Sequence, residues 1–148
     1  MDIPPEYIAK TLTGFCVCYF KNTTHDPDAP PHHHITVPIS DDSSLLLCII
    51  TSQVENKAWY YHKTNQAAGS SLVIVNRDEL SFLKKMSVID CNQPKLIHKS
   101  HFGKIVDPDH KFTIVTRNIP KEVKEKIVQA IKDSPIVKPF IKKLIKYT

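Results

Sequence analysis

The stretch HHHITVPISDDSSLLLCIITS, residues 32–52, constrains the fold of this chain more than any other. Two runs of strand-forming residues, ITVPI and LLLCII, flank the polar sequence SDDSS, and this pattern predicts a β-hairpin. Because the first strand of a hairpin begins beside the end of the second, the three leading histidines should lie near the hydroxyl pair Thr51-Ser52 that follows the hairpin. The hairpin therefore predicts that histidine and hydroxyl side chains meet at one end of a sheet.

Other short β-prone runs lie on both sides of the hairpin. They are residues 14–20, 72–75, 87–91, 95–98 and 112–115. The first of these is apolar on both alternating faces, which is typical of a strand covered on its two sides. About six short strands at this spacing favour a small closed or nearly closed barrel over a parallel sheet.

Three connecting segments are expected to lack regular structure. The Pro4-Pro5 pair discourages it at the start of the chain, and residues 21–31 hold three prolines and many turn formers. Residues 53–71 are polar, and residues 65–70 within them are expected to form a flexible loop.

The last thirty residues change from a strand pattern to a helical one. Apolar residues recur at helical spacing from Ile119 to Ile131, and Pro135 interrupts this helix. A second amphipathic segment follows, with one predicted apolar side formed by Ile136, Val137, Phe140, Ile141, Leu144 and Ile145. We therefore expect a β-barrel domain over residues 1–117 and a helical segment over residues 118–148 that packs on it.

Composition places the chain among single-domain proteins with a core, since it has 148 residues of which 41% are hydrophobic. Its apolar runs are shorter than the roughly 18–20 residues of a membrane span, and its start lacks the pattern of a signal peptide. These features predict a cytoplasmic protein without membrane partners. The four cysteines form no CxxC pair and are expected to be reduced, buried thiols.

The net charge of +5 is unevenly distributed. Residues 1–94 carry 7 basic and 10 acidic side chains, net −3, whereas residues 95–148 carry 13 and 5, net +8. The basic half is suited to a polyanion such as RNA, or it is a lysine-rich surface exposed to water. Charge alone leaves both interpretations open.

Four segments resemble, in order and spacing, the pattern of the MazF/PemK-like toxins. They are residues 14–20, 32–37, 47–53 and 87–90. The resemblance covers roughly residues 12–105. It implies a mainly β, SH3-like barrel with C-terminal α-helices, assembled as a homodimer. It also implies the toxin of a toxin–antitoxin system, a metal-independent endoribonuclease on single-stranded RNA that a cognate antitoxin protein neutralises.

The resemblance also indicates site residues. The family usually has an arginine at the position of His33, and a threonine or serine at the strand end where this chain has Thr51 and Ser52. Arginine holds a phosphate with a permanent charge, whereas histidine can take or give a proton near neutral pH. The missing arginine implies either a changed mechanism or a barrel that has lost cleavage.

RNA cleavage without a metal requires a base for the 2′-hydroxyl, an acid for the 5′-oxygen and donors for the charge on phosphorus. We expect His33 or His34 to supply the proton transfers and the hydroxyl of Thr51 or Ser52 to donate to a phosphate oxygen. Strand alternation places the two histidines on opposite faces. The alternative is a non-catalytic barrel that binds RNA or a protein partner.

Three adjacent histidines also suggest a metal site. Only His32 and His34 would point the same way along a strand, so a third ligand would have to come from His98, His101 or a cysteine. The chain shows no spacing specific to zinc. The sequence therefore predicts no metal and no cofactor.

Overall fold

Seven strands form one antiparallel sheet in the computed structural model, which describes residues 4–25 and 27–147. They are β1 (Cys16–Phe20), β2 (His32–Val37), β3 (Ser44–Thr51), β4 (Leu72–Val75), β5 (Ser87–Asp90), β6 (Lys95–His98) and β7 (Thr113–Thr116). The strand order is β4-β5-β3-β2-β1-β7, and β6 pairs with the first half of β3. The prediction of a mainly β fold is confirmed. The sheet is open, since no pairing within the described residues joins β4 to β7.

Helices cover parts of both sheet faces. They are α1 (Pro5–Thr11), α2 (Val54–Thr64), α3 (Phe102–Ile105), α4 (Lys121–Asp133) and α5 (Pro139–Leu144), with 3₁₀ turns at Gln66–Ser71 and Lys99–His101. None of the helices in residues 4–25 and 27–147 combines the length and apolar character needed to cross a bilayer.

Helices α1, α2 and α3 were not expected from the sequence. Helix α1 forms despite its prolines because Pro5 occupies the first turn, where its missing N–H has no helical partner to lose. Helix α2 occupies the first part of the polar stretch 53–71, for which no helix was predicted. The buried residue of α2 is Tyr61. With one buried position, the sequence of this helix shows almost no apolar periodicity from which a helix could be predicted.

The central hairpin forms as predicted. Strands β2 and β3 pair antiparallel, with His33 opposite Ile50 and Val37 opposite Leu46. The histidines are part of β2 and do not precede it, because β2 begins at His32. In the connection, the Asp41 carboxylate accepts a hydrogen bond from the Ser43 N–H at 2.9 Å. The turn therefore holds the two strands in register.

Side-chain alternation divides the interior into two clusters on the two faces of the sheet. In β1, Val17 belongs to the first cluster, whereas Cys16, Cys18 and Phe20 belong to the second. Helix α4 covers the first cluster through Val123, Ile127 and Ile131; α1 and α3 cover the second through Ala9, Phe102 and Ile105. The prediction of a strand covered on both sides is confirmed.

The C-terminal residues differ in detail from the predicted apolar side. Helix α5 begins only at Pro139, and residues 134–138 are not helical, so the helical phase does not continue from the preceding segment. Val137 is therefore buried, while Ile136 is 39% and Phe140 55% exposed. The prediction that all six apolar residues share one buried side was wrong for these two.

Candidate functional site

A cavity of about 660 Å³ lies where β2 begins and β3 ends. His33, Thr51 and Ser52 all line it, because the hairpin register places His33 opposite Ile50, one residue before Thr51. The lining of this cavity thus includes three of the four residues that the sequence indicated. Tyr19, Thr113, Val115 and the segment 82–85 form other parts of its wall.

His33 lies between two aromatic rings at this cavity. Its ring centroid is 4.7 Å from that of Tyr19 and 4.6 Å from that of Phe82. Burial lowers the pKa of His33 below its ordinary value of 6.5, and the neighbouring His32 lowers it further. At pH 7 the imidazole is therefore mainly neutral and able to accept a proton.

The two hydroxyls at the end of β3 differ in exposure. Thr51 is 7% exposed, and its Oγ1 accepts a hydrogen bond from the Gln53 N–H at 3.2 Å. A hydroxyl that accepts one hydrogen bond can still donate its own hydrogen. Ser52 is exposed. Thr51 is thus the more rigidly placed donor of the pair.

Two lysines that the sequence did not indicate also line the cavity. Lys84 and Lys85 are exposed and belong to the connection between β4 and β5. The connection is anchored because Leu80 and Leu83 enter the first cluster and the Ser87 hydroxyl donates to the Lys85 carbonyl at 3.1 Å. The cavity wall therefore carries the positive charge of two lysines.

His34, the fourth indicated residue, lies on the other face of the sheet and does not line this cavity. It is 4% exposed and stacks on Phe20, with 4.3 Å between ring centroids. Its Nδ1–H donates to the His32 carbonyl at 3.2 Å. Burial, followed by the nearby His25 and His32, lowers the pKa of His34 to about 3. His34 therefore does not belong to the cavity that His33, Thr51 and Ser52 line.

We expect His34 to make the protein less stable in acid. The pKa of His34 in the folded protein, about 3, lies below the ordinary value of 6.5. Between these two pH values the unfolded chain therefore binds a proton at His34 that the folded protein does not bind. Between pH 6.5 and pH 5 this should remove about 2 kcal/mol from the free energy of unfolding.

The variant His34→Gln keeps a polar side chain without a titrating ring. Chemical denaturation at the two pH values should show a smaller loss for this variant than for the parent. Equal losses in both proteins would show that His34 is not responsible.

Histidines gather on the His34 side of β2 without forming a metal site. The His25 ring centroid is 5.9 Å from that of His32 and 6.3 Å from that of His34. Within residues 4–25 and 27–147, no group of three His, Cys, Asp or Glu side chains is arranged to hold a metal ion. The four cysteines are buried free thiols, as predicted.

A buried polar network around Asp90 was also missed from the sequence. The Asp90 carboxylate, 1% exposed, accepts hydrogen bonds from Tyr61 Oη at 2.8 Å and from Lys57 Nζ at 3.1 Å. Burial and the Asp90 charge raise the pKa of Tyr61. The Ser134 hydroxyl donates to the Asn92 side-chain carbonyl at 2.7 Å, which joins the end of α4 to the end of β5. This network holds α2 and the C-terminal segment against the sheet.

The cavity lining thus includes the imidazole residues His32 and His33, several hydroxyl residues, and the lysines Lys84 and Lys85, around a space large enough for a nucleotide-sized ligand. Such a set can take a proton, donate hydrogen bonds to an oxyanion and balance its charge. The sequence matches no protein-family model and no curated protein.

Proposed function

We propose that the protein is a metal-independent endoribonuclease that cleaves single-stranded RNA as the toxin of a toxin–antitoxin system. The supporting observation is the common cavity of His33, Thr51 and Ser52, the positions that the resemblance to MazF/PemK-like toxins indicates. In the same proposal the open sheet is an SH3-like barrel, the protein is a homodimer and a cognate antitoxin is its protein partner. Incubating the purified protein with RNA and identifying the product ends tests it.

His33 acts as the base in this proposal. Its neutral imidazole removes the proton from a ribose 2′-hydroxyl, and the 2′-oxygen then attacks the adjacent phosphorus. The new bond to the 2′-oxygen forms while the bond to the 5′-oxygen breaks. The products are a 2′,3′-cyclic phosphate and a 5′-hydroxyl end, so the reaction uses no water and no metal.

The hydroxyls and lysines act on the phosphate. Thr51 and Ser52 donate hydrogen bonds to a phosphate oxygen as charge builds on phosphorus. Lys84 and Lys85 supply the positive charge that an arginine would otherwise carry, although an ammonium group lacks the bidentate geometry of a guanidinium. An ammonium group of this pair also gives the proton to the departing 5′-oxygen.

The aromatic rings beside His33 account for a single-stranded substrate. Tyr19 and Phe82 are half-buried and line the cavity, so parts of their rings face its space. Aromatic rings stack on bases of single-stranded RNA, and each stacked base contributes about 1–3 kcal/mol. Bases paired in a duplex would not reach these rings.

The same rings support a second candidate function, a barrel that binds RNA without cutting it. An imidazole between two aromatic rings is also a stacking platform, and in that role it needs no proton transfer. The two functions differ in one observable result. The non-catalytic barrel would retain RNA intact under conditions in which binding is saturated.

We expect RNA cleavage to survive chelation. The proposed chemistry uses only side chains, so an excess of EDTA should leave the rate unchanged, while a magnesium-dependent nuclease in the same buffer loses activity. Elemental analysis should find much less than one zinc per chain. A tightly held zinc in stoichiometric amount, or a rate abolished by EDTA and restored by a metal, would contradict this mechanism.

A further inference from the structure

Strand β4 forms one edge of the sheet, and among the described residues it pairs with β5 alone. The Cys91 N–H donates to the Ser71 carbonyl at 3.2 Å, so alternate residues from Ser71 onward form the hydrogen-bonded positions of the β4–β5 ladder. Leu72 and Ile74 therefore direct their backbone groups away from β5. The Leu72 N–H donates to the Gly69 carbonyl at the end of the 3₁₀ turn. Within residues 4–25 and 27–147, the N–H and the carbonyl of Ile74 have no such partner.

The side chains of β4 also favour contact with a further strand. Val73 and Val75 belong to the first cluster, whereas Ile74 points to the opposite face and is 44% exposed. Natural proteins usually protect an open sheet edge from pairing with charged residues or proline, and the sequence LVIV of β4 contains neither. This edge is therefore suited to accept another strand.

A groove of about 410 Å³ borders the same edge, between α2 and the start of β4. Its lining contains no Asp, Glu, Lys or Arg and consists of Ala58, His62, Gln66, Gly69 and Leu72. Trp59 is 59% exposed and stacks on His62, with 5.6 Å between ring centroids. A stable interface buries on the order of 1,200 Å² or more, which exceeds the area of one short strand. The groove and Trp59 extend the uncharged surface of β4 onto α2.

We propose that two copies of this chain associate through β4, with the two β4 strands antiparallel. The register that places Ile74 opposite its counterpart satisfies both free backbone groups at once, because the N–H of each Ile74 donates to the carbonyl of the other. The two exposed isoleucine side chains then lie beside each other on one face. Both copies use the same surface, so the arrangement closes as a two-fold dimer and leaves no β4 edge open.

Charge indicates a second copy as the partner and β4 as the edge that it uses. The chain carries a net charge of +5, so two copies repel each other unless they meet on an uncharged surface. The proposed register brings Arg77, which follows β4, near Ser71 of the other copy and opposes no like charges. The other edge strand, β7, is flanked by Lys111 and Arg117, and antiparallel pairing of two β7 strands would bring these basic ends together. Pairing of two copies is therefore favoured at β4.

Sedimentation equilibrium over a range of protein concentrations tests the interface. We expect the parent to be a dimer, and Ile74→Lys to raise the dissociation constant of that dimer at least about tenfold, because it removes the isoleucine contact and places two like charges opposite each other. The matched control is Ile114→Lys on β7, where the isoleucine is 37% exposed and also lies at a sheet edge. The control should dissociate no more readily than the parent.

Cross-linking tests the register. In Ile74→Cys the two introduced thiols face each other across the two-fold axis, with about 5.5 Å between the Cα atoms, a separation that a disulfide spans. Oxidised glutathione should join them in one disulfide between the chains and be reduced to two molecules of glutathione. The four native cysteines are buried, so neither the parent nor Ile114→Cys should form a covalent dimer.

The proposal is overturned if the parent is a monomer at every concentration, or if Ile74→Lys dimerises as tightly as the parent. If circular dichroism shows that Ile74→Lys does not fold, the cross-link decides, and the absence of a covalent dimer of Ile74→Cys overturns the interface.

A homodimer is part of the proposed function, and the inference rests on the proposed function in that respect. A dimer that forms through another surface would overturn this interface and not the proposed function. A protein that dimerises through β4 but leaves RNA intact would contradict the proposed function and not this interface.

Discussion

Replacing His33 by alanine should lower the rate of RNA cleavage by about 10² to 10⁴ while the protein still folds. The variant removes the only base in the proposed mechanism, and no other group in it accepts the 2′-hydroxyl proton. The lost contacts with Tyr19 and Phe82 should cost about 1 kcal/mol, a typical effect for one substitution. Initial rates on a labelled single-stranded RNA, with circular dichroism as a check on folding, measure both effects.

Three further variants make this result specific. Thr51→Ala and Ser52→Ala should each reduce the rate less than His33→Ala does, because the proton-transfer groups remain. His34→Gln should cleave like the parent at pH 7, since His34 faces the other side of the sheet. If His33→Ala cleaves like the parent, the base lies elsewhere.

The pH dependence of the parent provides an independent check on His33. A base with a pKa below 6.5 is mainly unprotonated at pH 7. The cleavage rate should therefore fall as the solution becomes acidic and the imidazole takes up a proton. A rate that rises as the solution becomes more acidic would exclude the neutral imidazole as the base.

Removing residues from Ser134 onward should destabilise the protein by on the order of 5 kcal/mol, comparable to the whole stability of many domains. The deletion takes away Val137, buried in the first cluster, and the edge contact between Tyr147 and Phe15. It also removes two backbone hydrogen bonds to the hairpin connection, from the Lys146 N–H to the Pro38 carbonyl at 2.9 Å and from the Ser40 N–H to the Leu144 carbonyl at 2.7 Å. The truncated protein should melt much earlier or aggregate.

Two point variants test whether the segment from Ser134 onward stabilises the fold by packing on the sheet or instead binds RNA. Val137→Ala should cost about 2 kcal/mol because that side chain is 6% exposed, whereas Phe140→Ala should change stability by no more than about 0.5 kcal/mol. Thermal melts of both proteins make the comparison. If the truncated protein instead melts like the parent but no longer binds RNA, the segment is a recognition arm and not part of the core.

The hairpin was predictable because residues close together in the sequence determine both of its strands and its turn. An apolar run, a polar turn and a second apolar run determine that His33 comes beside the end of β3, whatever the rest of the chain does. Alternation also showed that His33 and His34 point to opposite faces. Which of the two faces a cavity depends on Tyr19 and Phe82 on one side and Phe20 on the other, and these neighbours are set by the tertiary fold.

Features made by distant residues could not be predicted in the same way. Asp90 meets Tyr61 and Lys57 across 29 and 33 positions, and no local pattern connects them. Helix α2 was not predicted because it has no apolar stripe along its length. It packs on the sheet through one buried side chain, Tyr61. The position of Lys84 and Lys85 at the cavity likewise depends on the anchored connection between β4 and β5.

The most direct measurement is the incubation of purified protein with a mixture of single-stranded RNAs in EDTA, followed by analysis of the product ends. We predict discrete fragments that carry 2′,3′-cyclic phosphate and 5′-hydroxyl ends, and no such fragments from the His33→Ala protein prepared in parallel. RNA that stays intact at saturating protein, or fragments with 5′-phosphate ends, would contradict the proposal that this cavity cleaves RNA by attack of the 2′-hydroxyl.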